Sequence, residues 1–198
     1  MAAAIDAVVL IHALGVAMRR IGESHPVWEQ ARASHHFVEE AQEIRMSAVA
    51  WFEIWRGMER QQSSAIISWR SRIHIQPIDA RTAQRASELY GAVRRSGKVC
   101  ERCLGFLPAS KCASCGAQGS RQQRENDILI VAGADVDSDV DVLYTHDAGM
   151  QALAQFVHGM RIIPPPRPPA EQLPLAGATP IAHANIPRER KTKKSSKQ

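Results

Sequence analysis

Asp6 in IDAVVLI, Glu53 in WFEIWRG, Asp127 in ENDILIVAGA and Asp147 in VLYTHDAGM each sit at the edge of an apolar run. An apolar run can be buried, and its carboxylate then points out of the end of a core element. Four carboxylates brought together repel one another by kcal/mol amounts even at a moderate effective dielectric. Convergence therefore makes sense only around a bound cation, and oxygen donors without soft ligands suit Mg²⁺ or Mn²⁺. Taken singly, each acid has a plainer use as a turn former or helix N-cap, and Asp147 could simply cap a helix starting near Ala148. The metal reading comes from all four together.

The four cysteines form a second chemical group. Cys100, Cys103, Cys112 and Cys115 follow a C-x2-C-x8-C-x2-C spacing within VCERCLGFLPASKCASCG. Two such pairs can close a tetrahedron of thiolates around Zn²⁺. Gly105 and Gly116 follow the pairs and permit the tight turns that aim backbone N–H groups at sulfur. Disulfides or isolated buried thiols are the alternatives; a reducing compartment and the clustering of every Cys favour zinc. Four thiolates leave no open ligand position, so the zinc is expected to be structural and to supply the folding energy of a knuckle over residues 98–119.

The elements that must position these groups alternate along the chain. Ile5 to Ile11 is a nearly continuous apolar run and reads as a buried strand, with a helical turn and loop from His12 to Gly22. Pro26 to Glu43 reads as a helix, Arg45 to Val49 as a strand, and Ala50 to Arg60 as a helix with Phe52, Ile54, Trp55 and Met58 at helical spacing. Ile73 to Ile78 alternates as a strand, and Arg81 to Arg95 is a helix that Asp79 could cap. Asp127 to Ala134 reads as an apolar helix, Val140 to Thr145 as a strand, Gly149 to Val157 as a helix and Arg161 to Ile163 as a last strand. The alternation implies an α/β domain with a mostly parallel sheet covered on both faces. Read this way, Asp6 and Asp147 fall at opposite ends of their strands.

Charge is unevenly placed. Arg188 to Gln198 holds six of the 25 Lys/Arg and one of the 20 Asp/Glu, which leaves 19 of each sign in the rest of the chain. The body is therefore not a basic nucleic-acid binder by composition, and the high isoelectric point belongs to the tail. No apolar run reaches the roughly 20 residues needed to span a bilayer, and the first apolar stretch contains Asp6 and lacks a basic lead. A cytoplasmic protein without membrane partners is expected. PPPRPP from Pro164 and the Ala/Pro/Gly stretch after it cannot build a core, so residues 164–198 are expected to be an extended, disordered tail.

These acids, in this order, resemble the PIN-domain nucleases, which include VapC-type toxin ribonucleases. The resemblance runs through IDAVVLIHAL, MSAVAWFEIWRG, ENDILIVAGA and VLYTHDAGM, over roughly Ile5 to Ile163 without the cysteine segment. It implies a PIN-like three-layer sandwich over residues 1–163, interrupted by the zinc knuckle. It also implies that Asp6, Glu53, Asp127 and Asp147 are catalytic ligands of Mg²⁺ or Mn²⁺, and that RNA phosphodiester bonds are the substrate. An antitoxin protein and a second copy of the chain are the implied partners. Two positions differ from the family pattern. Asp6-Ala7-Val8 stands where Asp-Thr/Ser-Asn is usual, which removes polar support from the first carboxylate, and His146 stands where the family has Arg within Thr-x-Asp. Arg45, Arg56, Arg121 and Arg124 are candidate phosphate contacts. His35 and His36 cannot both face one site, which leaves His146 as the histidine of interest.

Two other functions compete. The chain could be a PIN-fold RNA- or protein-binding module with weak or no catalysis, using its knuckle and basic tail. It could also be a zinc-ribbon DNA-binding regulator, but the knuckle offers only Lys98, Arg102 and Lys111 as basic residues. Metal-dependent cleavage separates the enzyme from both.

Overall fold

The computed structural model describes residues 2–58, 66–97, 100 and 120–169. The chain divides into a unit of residues 1–168 and a unit of residues 169–198. Cys103, Cys112 and Cys115, and with them the expected zinc knuckle, lie outside the described residues, as does the tail beyond Pro169. Cys100 is half-buried.

Five short parallel strands form one sheet: β1 (Ala2–Ile5), β2 (Ile44–Ser47), β3 (Ile73–Gln76), β4 (Val140–Tyr144) and β5 (Arg161–Ile163). Their order is β3-β2-β1-β4-β5, with Ile5 opposite Met46 on one side and Tyr144 on the other. The helices are α1 (Ala7–Ala17), α2 (Trp28–Glu40), α3 (Ala48–Gly57), α4 (Ala80–Arg95), α5 (Arg121–Asp135) and α6 (Ala148–Gln151). The chain leaves β1 toward β2 and β3, then crosses back to β4 and β5. Right-handed crossovers therefore place α1 and α2 on one face and α4 and α5 on the other. This is the α/β architecture expected from the alternation. Among the described residues, no helix is long and apolar enough to cross a membrane.

The core explains why the strands can be so short. Ile5, Leu10, Leu14, Ile44, Met46, Ile73, Leu89 and Leu143 are essentially inaccessible, and each such side chain stabilises the fold by about 1.5–3 kcal/mol through burial. Ala2 and Ala4 in β1 are small enough for helices to approach the middle of the sheet closely. On the second face, Arg85 ties the layer together. Its Nε donates to Asp135 at 2.6 Å, and another guanidinium N–H donates to the Phe156 carbonyl at 3.1 Å. Asp135 is thus a structural acid, held in an ion pair away from any cleft.

The expected strand from Ile5 to Ile11 is corrected. The strand ends at Ile5, Asp6 caps α1, and Ala7 through Ala17 is helical. The apolar run misled because α1 buries Val9, Leu10, Ala13 and Leu14 yet also carries apolar Val8 and Ile11 on its exposed side, so it has almost no amphipathic signal. A second correction follows. Asp6 and Asp147 both stand at the carboxyl ends of their strands, β1 and β4, and those strands are neighbours. That is where the connections diverge to opposite sides of the sheet, the usual place for a ligand crevice in such folds. The expected helix from Gly149 to Val157 divides into α6 and a 3₁₀ segment, Ala152–Phe156. The expected Asp79 cap on α4 is present, its carboxylate accepting from Thr82 N–H at 2.8 Å.

Candidate active site

Thr145 links the two strand-end acids. It is fully buried immediately after β4. Its hydroxyl donates to Asp6 Oδ2 and accepts from the Asp147 N–H at 2.9 Å. Asp6 Oδ1 accepts from the Val9 N–H at 2.9 Å, the N-cap bond of α1. Asp147 caps α6 in the same way, through the Met150 N–H at 2.8 Å. The plain capping role of these acids and a shared site are therefore compatible: the cap bonds fix each carboxylate and leave further lone pairs directed outward. Polar support for Asp6, expected to be lost with the altered Asp6-Ala7-Val8 segment, comes instead from Thr145.

The other two acids are supplied by helices. Ser47 caps α3, which carries Glu53. Asn126 donates through Nδ2 to Glu53 Oε1 at 2.9 Å, so α5 orients the acid of α3. Asp127 lies one residue further along α5 and is buried. All four carboxylates line one cleft of roughly 500 Å³, together with Val8, Ile11, Arg56, Ser120, Gln123 and Asn126.

Arg124 brings a positive charge to this group. Its Nη1 lies 3.0 Å from Asp127 Oδ2 and 3.5 Å from Asp147 Oδ1. Gly149 makes the position possible, since a Cβ there would lie 2.3 Å from that same nitrogen. Even so, Asp127 is pushed up to about 7, first by burial and then by the neighbouring charge of Asp147, against the pull of Arg124. Asp6 is pushed up to about 6, first by burial, with Thr145 and Val9 opposing and Asp147 and Glu53 adding repulsion. The cleft thus gathers four carboxylates, two of them buried, beside the guanidinium groups of Arg56 and Arg124.

The donor set fits a hard divalent cation: carboxylate oxygens, no thiolate or imidazole, and two acids whose charge is held against its preference. Among the described residues, no three His, Cys, Asp or Glu side chains stand close enough to enclose one ion. The carboxylates surround the cleft, and Arg124 bridges two of them.

The remaining candidates separate cleanly. Arg56 lines the cleft and Arg124 bridges two of its acids. Arg45 lies toward the opposite end of the sheet, where it pairs with Glu43 at 2.7 Å and approaches Asp137 and Asp139. Arg121 pairs with Glu125 at 2.9 Å and meets the Tyr90 hydroxyl. His35 packs edge-on against Trp69. His146 points away from the acids, its Nε2 2.8 Å from Ser34 Oγ and its ring 5.2 Å from that of His12. Both rings sit below the usual histidine range, chiefly through burial, His12 at about 4. Sequence reasoning did not single out Thr145, Asn126 or Gly149 as site residues. Each sits next to or within two residues of a chosen acid, and that adjacency was the available signal.

No protein-family model and no curated protein sequence matches the chain. The fold is similar to solved structures. The crystal structure of VapBC2 from Rickettsia felis, bound to a DNA fragment from their promoter, matches with a TM-score of 0.50 at 15% identity, over 82% of this chain and 97% of that one. DNA-bound VapBC from Salmonella typhimurium matches with a TM-score of 0.47 at 16% identity, over the same shares of each chain. The likeness to the Rickettsia structure establishes the architecture: this chain has a PIN-like, VapC-type α/β fold around a five-stranded parallel sheet.

Proposed function

We propose that the chain is a metal-dependent endoribonuclease that hydrolyses RNA phosphodiester bonds and acts as the toxin of a toxin–antitoxin pair. One observation carries the reading: Asp6, Glu53, Asp127 and Asp147, from four separate elements, line a single cleft at the sheet's switch point in a VapC-type fold. These four would hold Mg²⁺ or Mn²⁺, which when bound makes water available as a nucleophile near neutral pH and neutralises charge on the scissile phosphate. The protein's own part is positioning. Thr145 and the Val9 N–H fix Asp6, the Met150 N–H fixes Asp147, and Asn126 fixes Glu53. Arg56 at the cleft wall can meet a phosphate oxygen. A single strand is the fitting substrate form, because its backbone can enter a recessed cleft. An antitoxin is the proposed protein partner, since the Rickettsia structure is of a VapBC pair; self-association and a cytoplasmic location belong to the same proposal.

A second reading, a binding module without catalysis, has one observation in its favour: Arg124 already bridges Asp127 and Asp147. The test is cleavage of labelled single-stranded RNA by the full chain, blocked by EDTA and restored by Mn²⁺, alongside calorimetric Mn²⁺ binding to wild type and Arg124→Gln. For a metal site, removing the competing guanidinium should tighten Mn²⁺ binding about tenfold, one interaction of about 1.4 kcal/mol. No cleavage and no Mn²⁺ binding in either protein would leave the binding module.

The domain plan remains part of the proposal: a PIN-like domain over residues 1–163, a Zn²⁺ knuckle over residues 98–119 held by Cys100, Cys103, Cys112 and Cys115, and a basic tail over residues 164–198 that adds salt-sensitive affinity for RNA. Tag-free protein should contain one zinc per chain by elemental analysis, and Cys112→Ser should lose it without unfolding the sheet. Iron, or no metal, would remove the knuckle.

A further inference from the structure

Helix α3 presents its exposed side chains in an order that continues outward from the cleft. At about 100° per residue, Glu53, Arg56, Phe52, Trp55 and Trp51 follow one another around the helix in steps of roughly 40–60°. Ala50 and Ile54 occupy the buried side. Glu53 and Arg56 line the acid cleft. The Arg56 guanidinium lies over the Phe52 ring, 5.9 Å from its centroid. Phe52 is 61% exposed and Trp55 is 44% exposed. Trp55 is braced from behind by Trp51, with ring centroids 5.6 Å apart and planes at 73°. Trp51 in turn lies under the Arg70 guanidinium at 5.7 Å, and Arg70 is anchored on the Ile73 carbonyl at 2.8 Å. Leaving these rings part-exposed forgoes roughly half of the about 1.5–3 kcal/mol that full burial of each would provide. A carboxylate cleft, then a cation, then two accessible rings, the second backed by Trp51, is the chemistry that receives a single-stranded nucleic acid: phosphate on the guanidinium, splayed bases on the π-faces.

We propose that α3 carries a nucleobase-stacking subsite, in which Phe52 and Trp55 each take a base of single-stranded RNA while Arg56 holds the phosphate leading into the acid cleft. The proposal deepens the nuclease reading, which supplies the identity of the ligand. Continuity with the cleft and the cation within the strip favour RNA here over an apolar protein segment.

The test measures binding without cleavage. Full-length protein in EDTA is titrated into fluorescein-labelled oligouridine at fixed salt, followed by anisotropy. Phe52→Ala and Trp55→Ala should each weaken binding about tenfold. Phe52→Tyr and Trp55→Phe keep a π-face and should bind within about twofold of wild type. Arg56→Gln should lower the slope of log K against log salt by about one. Wild-type affinity in both Ala variants overturns the subsite. So does an outcome in which they bind RNA normally but lose self-association or a protein partner in sedimentation, which would make the face a protein contact. Because no metal is present, a chain that binds RNA through Phe52 and Trp55 yet never cleaves it with Mn²⁺ would remove the nuclease reading and support the subsite.

Discussion

Asp127→Asn should reduce RNA cleavage by at least about a hundredfold, the upper range seen when even a supporting residue of a metal site is lost. Saturable Mn²⁺ binding should disappear with it, while the metal-free variant melts no lower than wild type at pH 8. The two halves have one cause. Burial is the largest influence on Asp127, and it outweighs the attraction of Arg124, so the carboxyl sits at about 7. Its charge is therefore a net cost to the folded protein above neutrality, tolerated because a cation can use it. Asn keeps the shape and still accepts from Arg124, but it offers a metal no charge. Cleavage of a fluorescent RNA, calorimetry with Mn²⁺ and differential scanning calorimetry measure the three quantities. Undiminished cleavage would remove Asp127 from the site.

The metal-free protein should lose about 1 kcal/mol of stability between pH 6 and pH 8, or about 3 °C in Tm. Asp6 and Asp127 are raised from 3.8 to about 6 and about 7. Between about pH 4 and 7 the folded state holds protons that the unfolded chain has released, so these groups lower stability as pH rises through that window. His12 acts in the opposite sense. Lowered from 6.5 to about 4, it costs stability as pH falls through that interval. The two raised acids outweigh the single histidine, so stability falls as pH rises, and above about pH 6.5 the offset from His12 fades. Mn²⁺ competes with those protons, so its stabilising effect should be small at pH 5 and large at pH 8. Thermal melts across pH, with EDTA and with Mn²⁺, give both curves. A flat metal-free Tm from pH 6 to 8 would mean that the two acids are not raised, and a Mn²⁺ gain independent of pH would mean that they do not hold the ion.

The alternation of elements and the positions of β2 to β5 were legible because each is a short segment with β-branched or other apolar residues between helical stretches, as in the alternating IHIQ of β3. The cap at Asp79 was legible because a capping acid followed by a polar first turn is a local signal. The first strand was not. In IDAVVLIHAL the apolar character continues from β1 into α1, and periodicity cannot divide a run whose cleft-facing residues, Val8 and Ile11, are as apolar as its buried ones. Asp6 itself was the division, since an Asp before a helical stretch is a cap. Choosing the four acids needed only their types and order. Their supports were harder, because Thr145, Asn126 and Gly149 matter through contacts across 25 to 139 positions of chain. The placement of Arg124 beside Asp147 is likewise a property of two packed helices rather than of either segment.

Helices α4 and α5 pack as a pair, and the chain between them, residues 96–120, re-enters the described structure at Ser120, the cap of α5. Ser120, Gln122 and Gln123 belong to the cleft wall, while the acids are held by β1, β4, α3 and the next turn of α5. The first turn of α5 is therefore the rim of a fixed room: exchanging Ser120, Gln122 or Gln123 alters what is admitted, and the groups waiting inside keep their positions.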